Sequence, residues 1–148
     1  MIMDSKVLII FVLFSLLLLI ASSCDPGYHE FFAISNKTKD TIVVCLNENL
    51  WNEWKGGYAP NQTSAFTELD NGSSLESALE SLINDNYQSF RVYRHDTCLV
   101  HWEGKMQHLG DSIHNFYNYD SWTTVVTGKY TLCSTFTITE DDLRQPVE

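Results

Sequence analysis

The sequence has few cations and no cluster of them. Nine Lys and Arg residues stand against 19 Asp and Glu residues, which gives a formal net charge of −10. Proteins that bind nucleic acid or anionic lipid headgroups neutralise phosphates with Lys and Arg, so a chain this acidic suits neither partner. The acids are scattered apart from the run 140–142, which indicates a solvated surface. The charge balance therefore argues against nucleic acid as a partner.

Motifs of common catalytic and metal sites are also missing. The chain has no Cys-x-x-Cys, no His-Glu-x-x-His and no Gly-x-Ser-x-Gly. Cys98 lies three residues from both His95 and His101, and in a strand that spacing turns the side chains to opposite faces. The five histidines do not follow a zinc-ligand pattern, and we expect them to be solvent-exposed: His29, His95, His101, His108 and His114. We expect no cofactor, no metal site and no catalytic residue; an envelope hydrolase with paired carboxylates in a cleft is one alternative.

One hydrophobic run is present, and it is too short to span a bilayer. All but one of the positions 7–20 are apolar, which makes 14 residues where a membrane-spanning helix needs about 20. A single cation, Lys6, precedes the run, and three small residues follow it. These are the three regions of a secretory signal peptide, and we expect residues 1–23 to be one, with cleavage before Cys24.

Cys24 is the predicted lipid-attachment residue. A Cys directly after small residues at the end of such a run resembles a bacterial lipobox, although Ala21 and Ser23 stand where Leu and Gly or Ala are more usual. Acyl chains on this Cys would hold the protein to a membrane of the cell envelope, since each buried methylene contributes about 0.8 kcal/mol. The expected organisation is a signal peptide over 1–23, a lipidated Cys with a short tether over 24–30, and a single globular domain over 31–148.

The other cysteines allow several pairings. If Cys24 is lipidated, Cys45, Cys98 and Cys133 remain, and one pair can form a disulfide while one thiol stays free. If Cys24 is not lipidated, four cysteines allow two disulfides in three pairings. Each of the three later cysteines lies in an apolar, strand-like run, where a small buried thiol is an equal alternative.

Strand patterns dominate from residue 31 onward. Short β-branched or aromatic runs between turn residues predict strands in three pairs, the first an opening hairpin and the last a hairpin around Gly128-Lys129. The predicted strands are 31–35 with 41–46, 90–93 with 98–102, and 121–127 with 130–138. The irregular stretch 47–71 is predicted to be a loop with one short strand near 64–66.

One amphipathic helix is predicted over about 74–84. Ser73 and Glu76 have the spacing of a capping box, and apolar residues then recur at helical intervals. Because strands outnumber helices and do not alternate with them, the expected fold is mainly β (α+β). We expect an antiparallel sheet or sandwich-like domain of six or seven strands with this helix packed on it.

The order of these motifs is similar to that of a known class of proteins. The order begins with two strands around Asn36-Lys37-Thr38 and a capped helix, and continues with Phe90-Arg91-Val92-Tyr93 and Trp102. It closes with Thr139-x-x-Asp142-Leu143. This order resembles that of small uncharacterised lipoproteins of gut Bacteroidetes. Ile138 departs from the usual Leu, and the Asn-Trp and Tyr-Pro ending is missing. The resemblance implies a lipoprotein and carries no activity with it.

Aromatic residues form the candidate contact surface. Trp51, Trp54 and Tyr58 lie in the least regular stretch, and Tyr117 and Tyr119 lie in a second loop. Exposed rings stack on sugars and pack against protein partners, and loops often carry binding residues. We therefore expect a non-catalytic binding or accessory domain that presents these rings to an envelope protein or a glycan, facing the periplasm or the cell surface.

Two further alternatives remain open at this point. The formal glycosylation sequons at Asn36, Asn61 and Asn71 fit a secreted, disulfide-bonded eukaryotic domain. Burial of the aromatic rings in the core would favour a purely structural envelope protein.

Overall fold

The computed structural model describes residues 28–48, 52–72 and 74–144. The predicted signal peptide, Cys24, most of its tether and Trp51 lie outside the described residues. Within those ranges the chain forms eight strands and one α-helix, so the predicted mainly β (α+β) fold is confirmed. The elements, in chain order, are β1 Tyr28–Asn36, β2 Ile42–Glu48, β3 Asn52–Tyr58, β4 Thr63–Gly72, α1 Leu75–Asn86, β5 Ser89–Arg94, β6 Thr97–Glu103, β7 Trp122–Gly128 and β8 Thr131–Ile138.

The strands form two four-stranded sheets that enclose one core. The first sheet has the order β4-β1-β8-β7 and the second β3-β2-β5-β6. All neighbours are antiparallel except β1 and β8, which pair in parallel over eight residues from His29 with Thr131 to Asn36 with Ile138. The first and last strands of the domain are therefore hydrogen-bonded side by side.

The core is built by alternation along the strands. Phe32 and Ile34 of β1 are fully buried, as are Val44 of β2 and Phe90 of β5 in the opposite sheet. Phe116, from the long connection between β6 and β7, stacks on Phe90 with the ring centroids 4.2 Å apart. Burying one such large apolar side chain contributes about 1.5–3 kcal/mol, so these facing residues hold the two sheets together.

The predicted opening hairpin is wrong. β1 and β2 lie in different sheets, and each directs its alternate apolar side chains into the shared core. The intervening turn is fastened by the buried amide of Asn36, which donates hydrogen bonds to the backbone oxygens of Asp40 and Tyr58. The chain thus crosses from one sheet to the other where a hairpin was expected.

The stretch 47–71 is also more regular than predicted. It contains β3 over 52–58 and β4 over 63–72 instead of a loop with one short strand. β3 pairs along the whole of β2, and β4 pairs with β1. The residues that the structure describes therefore form eight strands instead of six or seven.

The predicted helix is present, with a different cap. Ser74, not Ser73, is the N-cap, and its hydroxyl accepts from the backbone N–H of Ser77 at 3.2 Å. The Ser77 hydroxyl in turn accepts from the N–H of Ser74, so Ser77 completes the capping box where Glu76 was expected. The helix buries its apolar face, which comprises Ala78, Leu79, Leu82 and Ile83.

The hairpins β5–β6 and β7–β8 are confirmed, and the closing motif now has a structural role. Asp142 is buried, and its carboxylate accepts from both the backbone N–H and the hydroxyl of Thr139, at 2.7 and 2.8 Å. This pair fastens the short 3₁₀ turn over Asp142–Arg144 to the end of β8. The Thr139-x-x-Asp142 spacing is therefore a capping device.

Candidate functional site

Two of the predicted contact residues are core residues. Tyr58 and Tyr117 are only 2% and 1% exposed, and burial raises the pKa of the Tyr58 hydroxyl to about 12. The Tyr117 hydroxyl donates to the backbone oxygen of Tyr87, and its pKa is raised by the same cause. Neither ring is available to a partner, because the alternation of β3 and the packing of the β6–β7 connection direct both rings inward.

The other predicted contact residues have different surroundings. Trp54 is half-buried and packs against Phe66 with the centroids 5.7 Å apart, so most of its ring belongs to the core edge. Tyr119 is half-buried beside His108, with the two ring centroids 4.9 Å apart. Burial raises the pKa of its hydroxyl, and the nearby carboxylates of α1 raise it further. The structure therefore does not assemble the four described aromatic residues of this set into one exposed surface.

The three described cysteines are free thiols in this structure. Cys45 lies on β2 of the second sheet and is buried, whereas Cys133 lies on β8 of the first sheet. The thiol of Cys98 on β6 contacts the backbone oxygen of Val100 at 3.3 Å. A disulfide among Cys45, Cys98 and Cys133 is thus not formed in the described part of the chain.

The sequon at Asn36 does not offer a glycan acceptor in the folded chain. Asn36 is fully buried, and both hydrogens of its amide nitrogen are used in hydrogen bonds to backbone oxygens. Asn61 is exposed, in a turn where its φ is 60°. Burial thus excludes one of the three sequons that fit a secreted eukaryotic domain.

An open pocket of about 420 Å³ lies on the outer face of the second sheet. Its residues are Val43, Lys55, Tyr93, His95 and Asp96. The same alternation that buries Val44, Trp54 and Val92 in or against the core turns their neighbours Val43, Lys55 and Tyr93 to this outer face. Three adjacent strands, β3, β2 and β5, therefore supply these residues, with Val43 and Tyr93 in the floor and Lys55 at the rim.

Gly57 lies beside the floor of this pocket. It is the cross-strand partner of Val43, and a Cβ added to it would meet no atom within 4 Å. Larger side chains at this position would stand on the same face as Val43 and Tyr93. A methyl group at this position would therefore fit without displacing any neighbour.

The turn between β5 and β6 forms the other part of the rim. Arg94 pairs with Thr97, which leaves His95 and Asp96 as a two-residue loop. His95 has a φ of 54°, a left-handed conformation that is uncommon for a residue other than glycine. An ion pair of 3.0 Å between Arg94 and Asp40 fastens the turn to the β1–β2 crossing. The first residue of a two-residue hairpin loop commonly has a positive φ, so the turn itself accounts for this conformation.

The pocket combines an apolar floor with a polar rim. The Tyr93 ring and the Val43 side chain are half-buried, whereas Lys55, His95 and Asp96 are exposed. The ammonium group donates hydrogen bonds, the carboxylate accepts them, and the imidazole can do either. Ligand sites commonly have this composition, with apolar contact area and a few polar groups that fix orientation. Sequence reasoning missed this site because it did not predict β3, whose pairing with β2 brings Lys55 onto the same face as Val43 and Tyr93.

The five histidines, all of which the structure describes, do not come together as a metal site. No group of three or more His, Cys, Asp or Glu side chains within the described ranges could hold a metal ion. His114 was expected to be exposed, but its ring stacks on Phe136 at 4.9 Å and its Nδ1 lies 2.6 Å from a carboxylate oxygen of Asp142. This histidine therefore has a packing role.

Comparison with family models, with curated proteins and with solved structures finds no match to this chain. Among the residues that the structure describes, no helix is both long enough and apolar enough to cross a membrane.

Proposed function

We propose that this chain is an exported, non-catalytic binding domain that is anchored to a membrane of the cell envelope through acyl chains on Cys24. In this proposal its ligand is a saccharide, which binds in the pocket on the outer face of the second sheet. The observation that carries the proposal is the pocket itself, with a Tyr ring in its floor and charged groups at its rim.

The chemistry of a sugar ring matches that of the pocket. The C–H face of a pyranose is apolar and flat, and aromatic side chains offer a large, rigid contact area to such a surface. Its hydroxyl groups lie at the edge, where Lys55 can donate hydrogen bonds and Asp96 can accept them. His95 adds a third polar group on the same rim.

The position of the pocket supports binding of a ligand on the side of the domain away from the anchor. β1 begins at Tyr28, close to Cys24 in the chain, and its nine residues extend about 30 Å at 3.3 Å per residue. The strand ends at Asn36, whose amide binds Asp40, and Asp40 pairs with Arg94 at the edge of the pocket. The pocket is therefore at the end of the domain opposite the point where the tether enters.

Binding is tested with the full-length protein extracted from membranes in detergent. It is screened on an array of α- and β-linked gluco-, manno- and galacto-oligosaccharides, and the best ligand is titrated against variants. We expect Tyr93→Ala to weaken binding about tenfold or more, which corresponds to about 1.4 kcal/mol, and Asp96→Asn to weaken it less. Tyr130→Ala, which removes an exposed tyrosine elsewhere, is the matched control. Absence of saccharide binding would refute the proposed ligand. Binding that Tyr93→Ala leaves unchanged would refute the pocket as its site.

The anchor is tested by intact mass. The membrane-extracted protein is measured beside Cys24→Ala, and we expect the mass of residues 24–148 plus acyl chains, lost in the variant. An unmodified Cys24, or added glycan mass at Asn61 or Asn71, would instead support a secreted domain.

A further inference from the structure

Exposed apolar side chains are concentrated at the end of the β7–β8 hairpin. Val125, Val126 and Tyr130 are 51%, 75% and 39% exposed, and Ile113 is the other large apolar residue of this kind among those described. We call residues 125–130 the hairpin tip. Successive residues of a strand point to opposite faces, so Val125 and Val126 make both faces of the tip apolar.

The hairpin tip lies beside the start of β1. The backbone N–H of His29 donates to the backbone oxygen of Tyr130 at 2.8 Å, and His29 is the register partner of Thr131. β1 begins at Tyr28, only four residues after Cys24. A chain of four residues spans at most about 14 Å, so a lipid on Cys24 is attached within that distance of the start of β1, which lies beside the tip.

The tip has the side chains that suit a membrane interface. Valines offer apolar area, and Lys129 lies with its Nζ 5.0 Å from the centre of the Tyr130 ring. Tyr and Lys both combine an apolar body with a polar end, and residues of this kind are enriched where protein meets lipid headgroups. An acidic side chain lies next to the site: Glu68 on β4 pairs with His29 at 3.4 Å, which favours shallow contact with zwitterionic lipid over anionic lipid.

We infer that the hairpin tip rests in the headgroup region of the bilayer that carries the Cys24 anchor. This inference builds on the proposed anchoring and adds a second contact to it. The two contacts together fix the orientation of the domain, because an acyl chain alone would let it rotate about the tether. With the tip on the membrane, the start of β1 faces the lipid and the pocket at the far end faces away from it.

The inference is tested by photo-crosslinking of the full chain. Benzoylphenylalanine replaces Val126 in one variant, Val125 in a second and Ile113 in a control, and each protein is reconstituted in vesicles of phosphatidylcholine and phosphatidylethanolamine. Ile113 is a matched apolar control, 45% exposed, whose backbone oxygen accepts from Ser121 next to the opposite end of β7. The side chain at Val126 is mostly in solvent, so the probe does not disturb packing. We expect at least fivefold more lipid adduct from the two tip positions than from Ile113.

The outcomes separate this inference from the anchor. Equal adduct at all three positions in acylated protein would overturn the role of the tip and leave the anchor intact. Crosslinking of the tip to a protein in whole cells, with no lipid excess in vesicles, would also overturn it and show a protein-binding hairpin. The intact mass of the same samples reports whether Cys24 is acylated. This measurement does not depend on the ratio of lipid adducts at the three positions.

Discussion

The indole of Trp54 lies across Gly56, its neighbour but one on β3. A Cβ at Gly56 would lie 2.9 Å from Cζ2 of the indole and closer still to Cη2. The ring is held there by Phe66 and Tyr58, with centroid distances of 5.7 and 6.4 Å, so it has little freedom to turn aside. The glycine is thus required by the packing of the tryptophan.

Gly56→Ala is therefore expected to destabilise the domain. The added methyl group forces the indole or the strand to move, and overpacking of this kind costs about 1–3 kcal/mol. Urea denaturation followed by tryptophan fluorescence measures the loss as a lower unfolding midpoint. Gly57→Ala is the matched control on the same strand, since its Cβ meets no atom within 4 Å. Equal midpoints for the two variants would contradict this account of Gly56.

The buried amide of Asn36 gives a second prediction. Its oxygen accepts from the backbone N–H and the hydroxyl of Thr38 at 2.9 and 2.8 Å, and its nitrogen donates to two backbone oxygens, each at 2.9 Å. Asn36→Asp replaces two donors by an acceptor facing two carbonyl groups, and an unsatisfied buried polar group costs about 1–3 kcal/mol. We expect the variant to lose about 2–4 kcal/mol of unfolding free energy at neutral pH, measured by urea denaturation.

The control for Asn36 is a second asparagine of the same chain. Asn61→Asp changes an exposed turn residue with a φ of 60°, a conformation that Asp tolerates nearly as well as Asn. This variant should unfold within about 0.5 kcal/mol of the wild type, as surface substitutions usually do. A similar loss in both variants would show that the network around Asn36 does not hold the β1–β2 crossing.

Local patterns in the sequence predict the strands whose stability is mostly local. β7 and β8 are β-branched runs around a short turn, and both were predicted to within a residue or two. β3 carries Gly56-Gly57 and several polar residues, so its local preference for a strand is weak and its pairing with β2 decides its structure. A parallel pair of β1 with β8 joins residues about a hundred positions apart, and no local signal records it.

The candidate site was harder to predict than the fold. Tyr and Trp are amphipathic, so their presence in an irregular stretch does not tell whether the ring faces the core or solvent. Tyr58 is buried because β3 is a strand with alternate faces, which the sequence did not reveal. The pocket is formed where β3, β2 and β5 lie side by side, and the pairing of β3 with β2 follows from tertiary contacts.

The buried thiol of Cys45 gives a third prediction. Burial raises its pKa, so little of the reactive thiolate is present and access to it is blocked. Under native conditions we expect a maleimide to modify Cys98 and Cys133, which are half-exposed, at least about 100-fold faster than Cys45. In denaturant all three should react alike. Peptide mapping by mass spectrometry measures each rate, and failure of any two of them to react in denaturant would reveal a disulfide instead.

Glu30 gives the last prediction, which concerns pH. Glu30 lies on β1 of the first sheet and is only 1% exposed to solvent. One of its carboxyl oxygens accepts a hydrogen bond from the Ser134 hydroxyl at 2.6 Å. Because the Ser134 proton is used in this bond, Thr124 donates to Ser134 at 2.9 Å. Burial raises the pKa of Glu30 above its ordinary value of 4.5, and the bond from Ser134 offsets only part of the rise.

The sign of the effect follows from proton linkage. Since the folded state holds the Glu30 proton more tightly than the unfolded state, this group stabilises the fold below pH 4.5, and that stabilisation is lost as pH rises through the raised pKa. Glu30→Gln stays neutral and its amide oxygen can still accept from Ser134, so it removes the dependence. We expect its unfolding midpoint to exceed that of the wild type by an amount that grows from pH 4 to pH 8. Glu80→Gln, an exposed change on α1, should show a constant offset. A constant offset for Glu30→Gln as well would mean that this carboxyl group ionises in the folded protein at no cost.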